Sequence, residues 1–339
     1  MSSGPRHAVR SPPAEMRPKM LKSEFEIDNI LEILRHKFVT THRDAEVRHE
    51  IDRLLRRNAD GAPIAVPVRF SGGREARGIV VTGHPGDGKS TIIDHVLKTH
   101  PALGLGAPGG PRYLAVTVPS PATLKALGCE ILRVSGYPDV SERRERWSIW
   151  RLVRHRLAAL GVVVLLIDEA HDLRSNGSVE EIMDILCAFK SLLEADPPVI
   201  LLLSGIPILH EIVAFEGQKN RRFAKLELSP VTAPTEGDKL QQLIVDFCRC
   251  ADIAPPEVDV VPRLIYASRY RFGMCIENTL NTIEEALRHG DDRLTLAHFA
   301  EAWAAVESKG PDCNPFLAIK WASIDLTEGT DPRQWKLKK

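Results

Sequence analysis

Residues 78–97 read Gly78-Ile79-Val80-Val81-Thr82-Gly83-His84-Pro85-Gly86-Asp87-Gly88-Lys89-Ser90-Thr91-Ile92-Ile93-Asp94-His95-Val96-Leu97. A short β-branched apolar run ends at a glycine-rich loop, and the loop opens a segment that is apolar at helical spacing. That is the strand, loop and helix order of a phosphate-binding loop. Such a loop turns several backbone N–H groups toward one anion, and the helix N-terminus adds favourable dipole charge. In the spacing Gly-x-x-x-x-Gly-Lys-Ser, Gly83, Gly86 and Gly88 shape the turn. Lys89 reaches the β- and γ-phosphates and Ser90 ligates Mg2+. Pro85, Asp87 and Thr91 complete the expected nucleotide-binding set, whose ligand is ATP with Mg2+.

A second motif lies downstream. Val162-Val163-Val164-Leu165-Leu166-Ile167 is an unbroken aliphatic run of the kind buried on both faces of a parallel sheet, and it ends in Asp168-Glu169. A carboxylate at the C-terminal end of such a strand faces the ligand crevice. Asp168 is expected to hold Mg2+, and Glu169 to orient and deprotonate the attacking water. Ser204 ends the next apolar strand, beside the same crevice, where a small hydroxyl can position water; Ser-Gly is equally ordinary turn chemistry. Arg221 and Arg222 precede Phe223, and an arginine here can serve as a finger toward a neighbouring subunit's γ-phosphate, or can be an ordinary surface pair.

Outward from these motifs the chain alternates strands and helices. Strands are expected at 78–82, 113–118, 162–167 and 199–203, with amphipathic helices between them and a capping box of Ser178 and Glu181. This is a doubly wound α/β fold with a parallel sheet. After Pro230-Val231-Thr232-Ala233-Pro234 the strand signal stops, and helices over 235–250, 258–267, 273–288 and 295–306 make a small all-helical domain. The expected division is a basic tail and helical extension over 1–58, with one helix over 27–55, a nucleotide-binding domain over 59–232, a helical lid over 233–308 and an extended tail over 309–339.

Composition sets the class. The 339 residues carry 45 basic and 45 acidic side chains, so nucleic-acid binding has to come from local patches rather than bulk charge. One mixed stretch, Arg143-Arg144-Glu145-Arg146-Trp147-Ser148-Ile149-Trp150-Arg151, suits nucleic acid by composition. Its tryptophans also fall at helical spacing with Val153 and Leu157, which favours packing. The six cysteines show no Cys-x-x-Cys spacing, and neither His84 nor His171 has companions at metal-ligand spacing. Without an apolar leader or a run long enough to span a bilayer, the expectation is a cytoplasmic protein with no membrane partner.

The assembled pattern resembles the AAA+ ATPases and, within them, the TniB family of transposition proteins, relatives of TnsC, MuB and IstB. The finer likeness rests on Val118-Pro119-Ser120-Pro121, Leu132-Arg133-Val134-Ser135-Gly136-Tyr137-Pro138, Ile167-Asp168-Glu169-Ala170-His171-Asp172-Leu173 and Asn220-Arg221-Arg222-Phe223. The resemblance implies an ATP-dependent regulator that assembles as a homo-oligomeric ring or helical filament on double-stranded DNA and recruits a transposase, with a target-selector protein as a further partner. It places sensor 1 at Ser204 and the finger at Arg222. It implies DNA contacts after the second strand, at Ser120, Thr123 and Lys125. It also implies a lid arginine shortly after a glycine, which Gly273-Met274-Cys275-Ile276-Glu277 lacks; Arg269 and Arg271 are the substitutes at hand. A helicase-loader or initiator-like ATPase, and a non-hydrolysing ATP-gated scaffold, remain as alternatives.

Overall fold

The computed structural model describes residues 22–138, 140–141, 143–174, 179–214 and 222–326. Ser178 and Arg221 lie outside them. The central sheet has five parallel strands, β3 (Gly78–Thr82), β4 (Tyr113–Thr117), β5 (Val164–Asp168), β6 (Ile200–Gly205) and β7 (Phe223–Glu227), in the order β4-β5-β6-β3-β7. Successive strand residues face opposite sides. Val80, Leu165, Ile167, Leu201 and Leu203 therefore enter one core, with α4 (Leu124–Val134), α5 (Arg146–Ala159) and α6 (Val179–Leu193). Ile79, Val81, Val164, Leu166, Ile200 and Leu202 enter another, with α2 (His42–Arg53) and α3 (Lys89–Thr99). This two-sided burial is why the central strands are aliphatic without interruption. A short α7 (Leu209–Ala214) follows β6.

The third core is helical. It joins α8 (Ala233–Ala251), α9 (Val261–Ala267), α10 (Phe272–His289) and α11 (Leu296–Glu307) to α1 (Glu24–Arg35), through Ile27, Leu31 and Leu34.

Three expectations are corrected here. The single helix over 27–55 is two helices, because Thr41 starts a new one: its backbone N–H donates to Asp44 Oδ2 at 2.5 Å, and its hydroxyl accepts from the Arg43 N–H at 3.2 Å. The two expected apolar stripes serve different domains, α1 the lid and α2 the sheet. Second, residues 309–326 are not an extended tail. Phe316 is buried and stacks on Phe299 with centroids 5.3 Å apart, Arg263 donates to the Pro315 and Ala318 carbonyls, and Asn314 donates to Ala300 O at 2.8 Å. Third, the sheet has a fifth strand, β7, and a separate antiparallel hairpin of β1 (Leu55–Arg57) and β2 (Pro63–Pro67) precedes it.

Candidate nucleotide site

β3 delivers the glycine loop to the C-terminal edge of the sheet between β6 and β7, and α3 leaves from it. The two tightest turns sit at Gly86 and Gly88, with φ of 85° and 84°, a region that side-chain-bearing residues rarely adopt. Gly88 is the N-cap of α3 and offers no side chain to the first-turn N–H groups, which leaves them to an anion. Gly83 is buried, and a Cβ on it would meet Asp87 Oδ2 at 2.6 Å. Pro85, Ser90 and Thr91 are exposed along the loop and the first turn.

Lys89 is buried, and its Nζ donates to the Gly83 and His84 carbonyls at 3.0 and 2.9 Å. Burial lowers its pKa; the carboxylates of Asp87, Glu169 and Asp168 work against that shift. Asp87 caps the loop from inside by accepting the His84 backbone N–H. Burial raises its pKa, opposed by that hydrogen bond and by the Lys89 charge.

Asp168 ends β5 opposite Thr117 of β4. Strand alternation turns its side chain to the α3 face, the same face that Ser204 takes one strand over. Glu169 holds the left-handed backbone region, with φ of 54°, and its N–H donates to Asp168 Oδ1 at 3.0 Å. Its carboxylate lies 3.2 Å from His171 Nδ1, at angles outside hydrogen-bond geometry. Ser204 is fully buried, and its hydroxyl has no hydrogen-bond partner among the described residues. Lys89, Asp168, Glu169 and Ser204 thus converge at one edge of the sheet.

The lid closes directly on this loop. The Met274 N–H donates to Gly86 O at 3.1 Å, and a Cβ on Gly273 would stand 2.5 Å from that oxygen. Ile276 belongs to the stretch after Gly273 that carries no arginine. It lines a cleft of about 180 Å³ with Phe38, Val39, Gly88, Ile92 and Phe272. Of the two substitute arginines, Arg269 is committed elsewhere, gripping Glu307 at 2.7 and 2.8 Å and the Leu326 carbonyl at 3.0 Å. Arg271, the N-cap of α10, reaches the loop electrostatically: its charge is a minor opponent of the burial that raises the Asp87 pKa and a minor addition to the burial that lowers the Lys89 pKa. A larger cavity of about 690 Å³ lies at the N-terminal ends of β5 and β6, lined by Ala65, Pro101, Val162 and Pro197. It holds neither the loop nor the acidic pair, whereas the smaller cleft is lined by Asp87, Gly88 and Thr91 of the loop and its helix.

Arg222 lies at the other end of the sheet, since its neighbour Phe223 pairs with Gly78 while Glu227 pairs with Thr82. Its guanidinium is held within the chain, 2.7 Å from Glu75 and 3.3 Å from Glu194. It cannot serve its own chain's loop from there. Thr123 is the N-cap of α4, accepting the Ala126 N–H at 3.1 Å, and the Leu124 N–H donates to Glu181 at 2.6 Å. A carboxylate thus already sits where a phosphate would bind that helix end. Ser120 is exposed and Lys125 half-buried beside it.

A histidine and carboxylate cluster in the lid, His289, Asp291 and His298, has metal-like proximity. The Thr295 N–H, however, donates to His298 Nδ1 at 3.1 Å, which leaves the proton on Nε2, facing Asp291 at 2.8 Å. That tautomer offers no lone pair to a cation.

The parallel sheet in this strand order, with a glycine loop at its edge and a helical lid, defines the AAA+ P-loop fold. A family model described as an AAA domain matches residues 73–213. Among solved structures, the Aeropyrum pernix ORC1 protein in complex with DNA superposes with a TM-score of 0.59 at 18% identity, covering 84% of this chain and 70% of that one. Drosophila ORC bound to DNA gives 0.55 at 15%, over 90% and 72%. Cdc6p from Pyrobaculum aerophilum gives 0.54 at 13%, over 81% and 70%. No curated protein matches by sequence.

Proposed function

We propose that this protein is an ATP-hydrolysing, DNA-binding AAA+ regulator whose assembly on duplex DNA is gated by the nucleotide. The observation that carries the reading is the lid seated on the glycine loop, at Gly273, Met274 and Gly86, with Lys89, Asp168 and Glu169 converging beside it. The loop and the first turn of α3, from Gly83 to Thr91, suit a triphosphate, and the apolar cleft of Phe38, Val39, Ile92 and Ile276 suits its base. Ser90 and Asp168 are the residues that would hold Mg2+, which neutralises phosphate charge when bound. Glu169 takes the proton of the attacking water. Ser204, whose buried hydroxyl has no partner, positions it. Arg271 supplies the positive lid charge that the stretch from Gly273 to Glu277 lacks. Arg222 acts on a neighbouring subunit once Glu75 and Glu194 release it.

For the client we favour transposition, with a transposase recruited by the DNA-bound array, on the motifs from Val118 to Pro138 and from Asn220 to Phe223. An initiator-like role is the second reading, favoured by likeness to ORC1 in complex with DNA over 84% of the chain. Sedimentation and electron microscopy with duplex DNA in ATP or ADP test the assembly. ATP-dependent oligomers are expected, and a monomer under all conditions refutes the reading. Pull-down of a transposase, against a replicative helicase, by the DNA-bound form decides the client.

A further inference from the structure

The two faces of α5 differ sharply. Ile149, Trp150, Val153 and Leu157 are buried, and the Trp150 indole N–H donates to Leu124 O at 2.9 Å. On the opposite face Trp147, Arg151 and Arg154 recur at i, i+4 and i+7, a single stripe, with Arg143 and Arg144 just before the helix. All five are exposed, Trp147 at 43%. The helical spacing that joined both tryptophans to packing therefore holds for one of them only.

The charges on this face are uncompensated. Nearby arginines are paired: Arg133 with Glu130 at 2.5 Å, Arg146 with Asp184 at 2.6 Å, and Arg156 with the Ser135 carbonyl at 2.6 Å. The side chains of Arg143, Arg144, Arg151 and Arg154 have no carboxylate partner among the described residues. In a chain whose 45 basic and 45 acidic residues cancel, two such arginines on one helix face and two just ahead of the helix are a local excess that calls for an external polyanion. From Trp147 to Arg154 the helix rises about 10 Å, and one DNA strand presents a phosphate about every 3.4 Å of axis, so the helical part of the face spans about three phosphates and Arg143 and Arg144, ahead of the helix, extend it to about four. Trp147, with Arg146 5.8 Å from its ring, adds a flat apolar surface at the edge.

We infer that this face of α5 is the duplex-DNA surface of the protein, binding the phosphate backbone of one strand through Arg143, Arg144, Arg151 and Arg154. The inference rests on the DNA-binding reading above and moves the contact from the α4 N-terminus, where Glu181 competes, to the next helix. Four neutralised phosphates correspond to a salt slope of about −3.6 per bound subunit, or about 150-fold weaker binding between 50 and 200 mM salt.

The test is anisotropy of a labelled duplex of arbitrary sequence, titrated with the full chain and ATP across that salt range. For Arg151→Gln with Arg154→Gln the slope is expected to fall to about −1.8, leaving about a 12-fold salt effect. A control losing the same charge elsewhere, Arg53→Gln with Arg249→Gln, keeps the wild-type slope. If wild type binds duplex but the α5 variant keeps its slope, the inference is overturned while the DNA reading stands. If the variant instead loses ATP-dependent self-association, α5 is a contact between copies and the inference is equally overturned. No duplex binding by wild type in any nucleotide state removes the DNA reading and this surface with it.

Discussion

Gly273→Ala tests the contact on which the site depends. The new Cβ would stand 2.5 Å from Gly86 O and 3.3 Å from Gly88 N, both backbone atoms that no rotamer change can move. A carbon and a carbonyl oxygen ordinarily approach to about 3.3–3.6 Å, so α10 and the loop must part by roughly 1 Å. The Met274 N–H bond to Gly86 O, now 3.1 Å, would then stretch beyond hydrogen-bond range. Forced overpacking of this kind costs about 1–3 kcal/mol. Gly237, inside α8, is the matched control: a Cβ there meets nothing closer than Ala233 Cβ at 3.8 Å. Gly237→Ala is expected to stabilise by about 0.5–1 kcal/mol, the ordinary helix gain. The same substitution in two helices should therefore have opposite signs. Urea unfolding followed by tryptophan fluorescence reads stability, and calorimetric titration reads ATP affinity, which should fall about tenfold for a loss of about 1.4 kcal/mol in Gly273→Ala. If Gly273→Ala proves as stable as Gly237→Ala and binds ATP like wild type, the lid does not bear on the loop.

Arg222→Ala should abolish turnover while ATP affinity is unchanged, and mixing it with Glu169→Gln should restore part of the rate, because a site with an intact Glu169 then meets a neighbour's intact Arg222. Recovery absent from the mixture would confine Arg222 to its pair with Glu75 and Glu194. His100 supplies a pH dependence. Its Nδ1 accepts the Ala102 N–H at 3.1 Å and its Nε2 faces Asp52 at 2.8 Å, and burial lowers its pKa below 6.5 despite that carboxylate. The unfolded chain then binds the proton more readily, so the His100 contribution is full above pH 6.5 and is lost as pH falls toward the folded value. Unfolding midpoints from pH 7.5 to 5 should show a decline that His100→Gln flattens; an identical decline in that variant assigns it elsewhere.

Much of this was legible in the chain because the signals were local. The strand, loop and helix from Gly78 to Leu97 and the aliphatic run ending at Asp168 have periods and breakers of their own. The unread parts depend on distant partners. β7 is an edge strand whose alternating Phe223-Ala224-Lys225-Leu226-Glu227 is too short and polar to announce itself, and it exists by pairing with β3. Residues 309–326 carry prolines and read as a tail, yet Phe316 and Leu326 complete the lid core. At the site, the loop chemistry was explicit. The placement of Arg271 beside Asp87 was not, because a lid residue 184 positions downstream meets the loop only through tertiary folding.

The central claim is that nucleotide at the glycine loop gates DNA binding. It is tested most directly by duplex binding of Glu169→Gln and Lys89→Ala, each in ATP and in ADP, at one fixed salt concentration. Glu169→Gln should bind duplex tightly in ATP and weakly in ADP, since it retains the phosphate site and stalls before release, whereas Lys89→Ala should bind weakly in both. Equal, nucleotide-independent binding by the two variants would contradict the account.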